Sequence, residues 1–419
     1  MFNLTNRFLW QALGWAFPLF IFGEFRLNLG FYHISIPSLL LLLIFVNYLF
    51  QQISSGEVYL SITNKSYVLM TICVLFLLLH LFSGIISMMQ ILAIKEILKL
   101  FMGIFSLYLF FLTFPNSFSF NKKFVKIISI ASIIAFCLLI YQYAIVFKVP
   151  YLGNNINEMQ RSGKNQLTYY IACMLPFALA YYKTDKNRLL PTLSVFVFIV
   201  TLVYSSSRSA WVAAFVGLLF YFFSEFSISK RRISLIIKTV FILSISTFGI
   251  YYILFNFFDT ELEVLYRFIS IFKPDLIPDQ YAYLGKNSYN VRGQTLQMAF
   301  NSIANYPLFG IGLSNTILFL DRAWAHNDHV GTLLQLGIIG YTIFIGIWVS
   351  IWRFISTAPN YFIINKSEFF IASKQSVITM LVLSFFIDVN TSTHFWFFIG
   401  LIILPSKIAW FKAKQMGLN

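Results

Sequence analysis

At 419 residues, 59% of them hydrophobic and 11% charged, with a mean hydropathy of +0.77, the chain lies far outside the range of soluble globular proteins. Its 50 Phe and 23 Tyr are tenable only where the solvent accepts apolar surface, which excludes a soluble enzyme and predicts an all-α polytopic membrane protein. The net charge of +15 does not point to nucleic acid, because Lys and Arg are the cytoplasmic anchors of membrane helices.

At the N-terminus, Arg7 precedes an apolar run with no small-residue cleavage site before Glu24 and Arg26, so the run reads as a retained first span. At ~20 apolar residues per crossing, spans are expected near 8–23, 34–50, 67–86, 98–114, 125–147, 165–182, 189–204, 209–224, 234–256, 329–351, 375–388 and 394–411. Cys73, Cys137 and Cys173 fall inside these runs with neither pairing nor metal spacing, and read as small core residues. With the N-terminus inside, the cytoplasmic intervals collect Lys122, Lys123 and Lys126, then Lys183, Lys186 and Arg188. Lys230, Arg231, Arg232 and Lys238 follow, then Arg353, Lys366 and Lys374, and last Lys407, Lys412 and Lys414. That asymmetry satisfies the positive-inside rule and predicts about twelve spans with both termini cytoplasmic.

One long polar interval interrupts the pattern. Residues 257–328 carry seven Asp/Glu against five Lys/Arg and fall on the outer side. A connection this long usually carries function. The expected organisation is a single membrane domain: spans one to nine over 1–256, a large outer catalytic loop with short helices over 257–328, and spans ten to twelve over 329–419.

The chemistry is sought on that outer side. Arg208 stands in the corner Ser205-Ser206-Ser207-Arg208-Ser209, where an arginine between two spans is costly unless it meets a partner or a wet cavity. Its structural alternative is an arginine snorkelling to tie down a short turn. Arg292 opens a stretch in which Leu296, Ala299, Phe300 and Ile303 recur at helical spacing. That places it near the N-terminus of a short outer helix, where free N–H groups already favour an anion. A guanidinium holds phosphate bidentately and keeps its charge, so two outer arginines suggest a diphosphate; a solvated loop arginine is the alternative. His326, just ahead of a span beginning near His329, is of the right type to take a proton from a hydroxyl. Position alone favours a structural histidine. Asp328 and His329 could orient it or act in its place. Arg161 with Lys164, Arg322, and Asp388 with His394 share the outer face. No Asp-x-Asp pair lies outside to hold a metal, no P-loop is present, and Gly310-x-Gly312 without a βαβ context is no dinucleotide site.

In order along the chain, these pieces resemble the O-antigen ligase and O-antigen polymerase superfamily. The run Tyr204 to Ala210 resembles its serine–arginine corner. Arg292, Ala299, Ile303, Asn305, Pro307-Leu308-Phe309-Gly310 and Gly312-Leu313 resemble a second element, and His326-Asn327 with Leu333-Leu334 and Gly337-Ile338-Ile339-Gly340 a third. Lys164-Asn165 with Pro176 resembles the family's way into the helix before them, so the likeness covers about 150–345. The resemblance implies a membrane glycosyltransferase at the outer face of the bacterial cytoplasmic (inner) membrane. It would move a glycan from undecaprenyl diphosphate to an acceptor hydroxyl, without metal or cofactor. Arg208 and Arg292 would hold the diphosphate and His326 would activate the acceptor, with Arg161, Lys164, Asn165, Arg322, Asp328 and His329 on the substrates. His326 is followed by Asn327-Asp328-His329, so a neighbouring Asp or His complicates the choice of base. The implied partners are the lipid-linked donor, an acceptor that is a lipid-linked repeat or lipid A–core, membrane lipid, and a chain-length regulator protein.

Polymerase and ligase share this donor chemistry; the polymerase is preferred as the more numerous branch, capsule polymerases included. A lipid-linked-sugar or anion transporter is the reading from another class. It would place ionisable groups near the midplane and pair broken helices in repeated halves. Here the expected spans are nearly free of charge, His80 being the main exception.

Overall fold

The computed structural model describes residues 2–18, 26–28, 33–55, 64–140, 161–204, 207–225, 266, 286–320, 327–359, 367–386 and 393–417. Among these are thirteen helices and one short antiparallel hairpin, Arg26–Asn28 against His33–Ser35, which the all-α expectation did not contain. In lipid an exposed N–H or C=O has no water to turn to, so a long apolar run closes its hydrogen bonds within itself and becomes helix. The helices are α1 (Phe2–Ala16), α2 (Ile36–Ser55), α3 (Asn64–Ile85), α4 (Gln90–Thr113), α5 (Phe118–Ile140), α6 (Arg161–Thr184) and α7 (Leu189–Tyr204). After them come α8 (Arg208–Glu225), α9 (Lys286–Asn305), α10 (Thr316–Leu320), α11 (Asp328–Ser356), α12 (Ser367–Ser384) and α13 (Thr393–Gln415).

Eleven of the twelve expected spans fall wholly or partly on a helix, and the other, 234–256, lies outside the described residues. Among the described residues, five stretches are long and apolar enough to cross a membrane: Ile36–Ser54, Ser66–Ile85, Gln90–Thr113, Asp328–Ser356 and Phe395–Gln415. Leu189–Leu202 and Arg208–Phe220 are shorter apolar helices. The protein is therefore a helical membrane protein.

Small residues let the helices approach closely. Gly103 of α4 lies under Trp396 of α13, and Gly400 of α13 under Phe110 of α4; an added Cβ would stand 2.4 and 2.2 Å from those rings. The two contacts are reciprocal, so neither helix can slide without a clash. Trp10 of α1 extends this core, its ring meeting Phe110, Phe114 and Phe124 at 4.6, 5.1 and 6.1 Å.

The bundle has two chemically different ends. At one, Lys122 donates to the Thr184 carbonyl at 2.9 Å and lies 3.8 Å from Asp185, while Lys183 pairs with Glu368 at 3.3 Å. Burial opposes ionisation of Asp185, but the Asn187 amide and Lys122 outweigh it and hold the carboxyl below its ordinary range. Phe118, Ala358, Phe370, Ile408 and Ala409 close this end. Lys407, expected in a cytoplasmic interval, is instead buried in α13. Its ammonium donates to the Phe110 and Phe114 carbonyls at 2.8 and 2.7 Å, a cation on the last orphan acceptors of α4.

The other end follows from the chain directions. Lys183 meets Glu368 and Ser376 donates to the Cys173 carbonyl, so α6 and α12 are antiparallel and the start of α6 lies by the end of α12. Helix α7 returns to that end after the 185–188 corner, so α8 begins there as well. The start of α11 joins them, because His329 reaches Ser384 at the end of α12.

Candidate active site

The segment after α9 folds back onto a break in α11. A continuous apolar run would read as one straight helix, but Gly337 adopts φ 64° and ψ −168° and interrupts it. A break inside lipid frees backbone groups that must find partners. Here the Pro307–Gly312 segment supplies them. Ile311 and Gly312 donate to the Leu334 and Gln335 carbonyls at 2.8 and 3.1 Å, and Ile338 and Ile339 donate to the Pro307 and Leu308 carbonyls at 2.8 and 3.4 Å. The contact leaves no room for side chains. A Cβ on Gly337 would stand 2.1 Å from the Leu308 oxygen, and one on Gly310, at φ 70°, would stand 2.5 Å from the Leu334 oxygen. Both the left-handed conformation and the close approach require glycine.

Asn315 pins this segment to the corner between α3 and α4. It is 1% exposed. Its Nδ2 donates to the Ile311 carbonyl at 2.7 Å, and its Oδ1 accepts from the Met88 and Met89 amides at 3.1 and 3.2 Å. Met89, the N-cap of α4, makes no side-chain cap bond of its own, and the amides leading into the helix are instead satisfied by a residue from far along the chain. Ser87 adds a 2.6 Å bond to the Leu313 carbonyl. A turn-forming Gly312-Leu313-Ser314-Asn315 run was the only sequence signal for this pin.

Helix α9 lies over the first half of α11. Ala299, Ile311, Leu320 and Leu334 form a small cluster, with Ile303, Phe319 and Val330 packed against it. The amphipathic reading of α9 needs two corrections. Its packed face is built from Thr295, Ala299 and Ser302, whereas Phe300 points outward at 56% exposed. Small side chains there allow the backbone of α9 to come close. The helix also starts at Lys286, so Arg292 stands in the second turn and not at the N-terminus; the free N–H groups of the first turn do not reach it. Arg208, by contrast, is the first residue of α8, where that helix-terminus argument does apply. Trp211 steadies this corner by donating from Nε1 to the Leu202 carbonyl at 2.8 Å, and Ser207 and Ser209 pair at 3.2 Å.

Helix α11 begins with Asn327 as its N-cap, its side chain accepting from the His329 and Val330 amides at 2.9 and 3.0 Å. Asp328 is buried in the first turn and acts electrostatically on the Tyr169 hydroxyl of α6. His329 turns inward, with Nε2 2.9 Å from Ser384 Oγ and Nδ1 3.4 Å from the Tyr341 hydroxyl. Arg161 opens α6, with Lys164 and Asn165 in its first turns. His394 lies in the first turn of α13. His326, Arg322 and Asp388 lie outside the described residues. Arg208, Asp328, His329 and the Arg292-bearing helix thus share one end, opposite the lysine-rich one. Ser384 and Tyr341 carried no sequence signal, being single polar residues in apolar runs.

Comparison with known proteins agrees with these elements. Residues 193–345 match the family model described as O-antigen ligase. The match runs from α7 through the broken part of α11 and so takes in Arg208, Arg292 and Gly337. None of the curated proteins matches the chain. Over residues 193–345, about a third of its length, this helical membrane protein is thus similar to the O-antigen ligase family.

Proposed function

We propose that the protein transfers a glycan from undecaprenyl diphosphate to an acceptor sugar hydroxyl at the outer face of the bacterial inner membrane, as a polysaccharide polymerase. The observation that carries this reading is the division of the bundle. The domain matched to the family gathers Arg208, the Arg292-bearing helix and the start of α11 at one end, while Lys122, Lys183 and Lys412 mark the other. By the positive-inside rule the lysine end is cytoplasmic.

In the reaction, fixed guanidinium charges at 208 and 292 stabilise the departing diphosphate, and His326 takes the proton of the attacking hydroxyl. Charge neutralisation by two arginines needs no divalent ion, which is why the reaction is proposed as metal-independent. A transporter is disfavoured because, among the described residues, His80 and Lys407, both buried in the bundle, are tied to backbone. His80 bonds the Phe76 carbonyl at 2.8 Å, and Lys407 caps α4.

A ligase joining finished polymer to lipid A–core is the second reading, favoured by the similarity to the O-antigen ligase family. Deleting the gene and running the surface glycan on a gel decides between them. Core carrying a single repeat is the polymerase result; bare core with long chains on the lipid carrier is the ligase result. An unchanged ladder overturns both.

A further inference from the structure

We infer that His329 is a positioning residue, a clamp that fixes the first turn of α11, the turn that follows His326 in the sequence. The inference rests on the transferase reading above and deepens it, giving His329 a role other than proton exchange.

The hydrogen bonds around His329 assign its tautomer. Ser384 donates its single hydroxyl proton to the Leu381 carbonyl at 2.6 Å, since a carbonyl can only accept. Toward His329 Nε2, at 2.9 Å, the same oxygen must therefore accept, and Nε2 carries the hydrogen. In the neutral ring Nδ1 is left as the acceptor facing the Tyr341 hydroxyl at 3.4 Å. Phe385 covers one face of the ring, stacked at 4.1 Å and 19°, and Phe344 meets it edge-on at 5.5 Å. With the residue 7% exposed, both nitrogens are engaged by partners within the protein.

The break at Gly337 makes this clamp possible. Residues twelve apart in an unbroken helix stand roughly 18 Å apart along the axis. Here His329 and Tyr341 touch. The ring thus ties the first turn of α11 both to α12 and to the second half of its own helix. Asn327 holds the same turn by its backbone amides, and His326 precedes Asn327 directly.

The test uses the full-length protein in native membranes, with the lipid-linked glycan that accumulates in the deletion strain as donor. His329→Gln retains a donor for Ser384 and an acceptor for Tyr341 but cannot act as a base near neutral pH. It is expected to keep kcat within about threefold of wild type, with the pH profile unchanged. His329→Ala removes the clamp and is expected to lower kcat by up to about 100-fold, with donor KM little changed. If His329→Ala fails to reach the membrane, Ser384→Ala takes its place, with a fall in kcat expected and unchanged kcat overturning the clamp. A glutamine variant as inactive as the alanine one, at wild-type membrane level, overturns the inference by making His329 the base. An alanine variant with wild-type kcat overturns it by removing any role. Should the wild type itself transfer nothing, the transferase reading falls and this inference with it.

Discussion

Arginine and histidine carry the proposed chemistry, and each offers a separable test. A guanidinium presents a planar fork to a diphosphate, where an ammonium presents one compact charge. Arg208→Ala and Arg292→Ala are each expected to lower glycan transfer at least ~100-fold, the usual scale for deleting one stabiliser of developing charge. Arg208→Lys and Arg292→Lys should recover little of that loss. Glycan ladders from complemented deletion strains, beside immunoblots of membrane fractions, measure both outcomes; wild-type glycan length in the alanine strains would remove the diphosphate clamp. Both arginines were legible in the sequence, because a fixed charge in a greasy chain has to be explained. The sequence misjudged only the setting of Arg292, which stands in the second turn of α9, while Arg208 opens α8 at the corner between two helices where it was expected. A helix boundary inside a polar stretch has no apolar run to mark it.

Glycine decides the geometry at the scale of the elements. Gly310 and Gly337 meet across the break in α11, each at positive φ and each against the other segment's backbone. Gly337→Ala or Gly310→Ala should cost about 1–3 kcal/mol in backbone strain alone, with the clash added, and should abolish transfer. Gly293 is the internal control. It sits beside Arg292 with nothing within 4 Å of an added Cβ, so Gly293→Ala should leave transfer intact and stabilise α9 by up to about 1 kcal/mol. Thermal aggregation of the detergent-solubilised variants measures the stability arm, and an equal loss in all three would refute the lock. Asn315→Ala should cost about 1–3 kcal/mol, because the buried Ile311 carbonyl loses its donor and the Met88 amide its acceptor. The lock itself was not legible beforehand. Eleven helices could be read from apolar runs because each is a local pattern, but pairing 307–312 with 334–339 is a long-range match of backbone groups that leaves no periodicity. The Pro307-Leu308-Phe309-Gly310 and Gly337-Ile338-Ile339-Gly340 motifs were visible as separate signatures; that they are two halves of one contact was not.

Taken whole, the molecule makes a directional claim that neither residues nor elements make alone. Its ends are joined by antiparallel helices, so fixing the side of one corner fixes them all. The 185–188 corner lies at the end where Lys122 meets Asp185 and Lys183 meets Glu368. The 86–89 corner, where Asn315 anchors the 307–315 segment, lies at the opposite end, since α4 runs from it to the Phe110 and Phe114 carbonyls held by Lys407. A lysine-rich end retained in the cytoplasm puts 86–89, 207–209 and 305–315 outside. Single cysteines at 88, 187 and 306, in a chain whose Cys73, Cys137 and Cys173 are replaced by Ala, test this with a membrane-impermeant maleimide on intact spheroplasts. Positions 88 and 306 should label, and 187 only after lysis. Labelling of 187 with silence at 88 and 306 would invert the protein and move its arginines to the cytoplasm. A mixed pattern, with 88 and 306 on different sides, would contradict the fold itself, because Asn315 and Met88 are hydrogen-bonded. The experiment therefore separates an error of orientation from an error of structure.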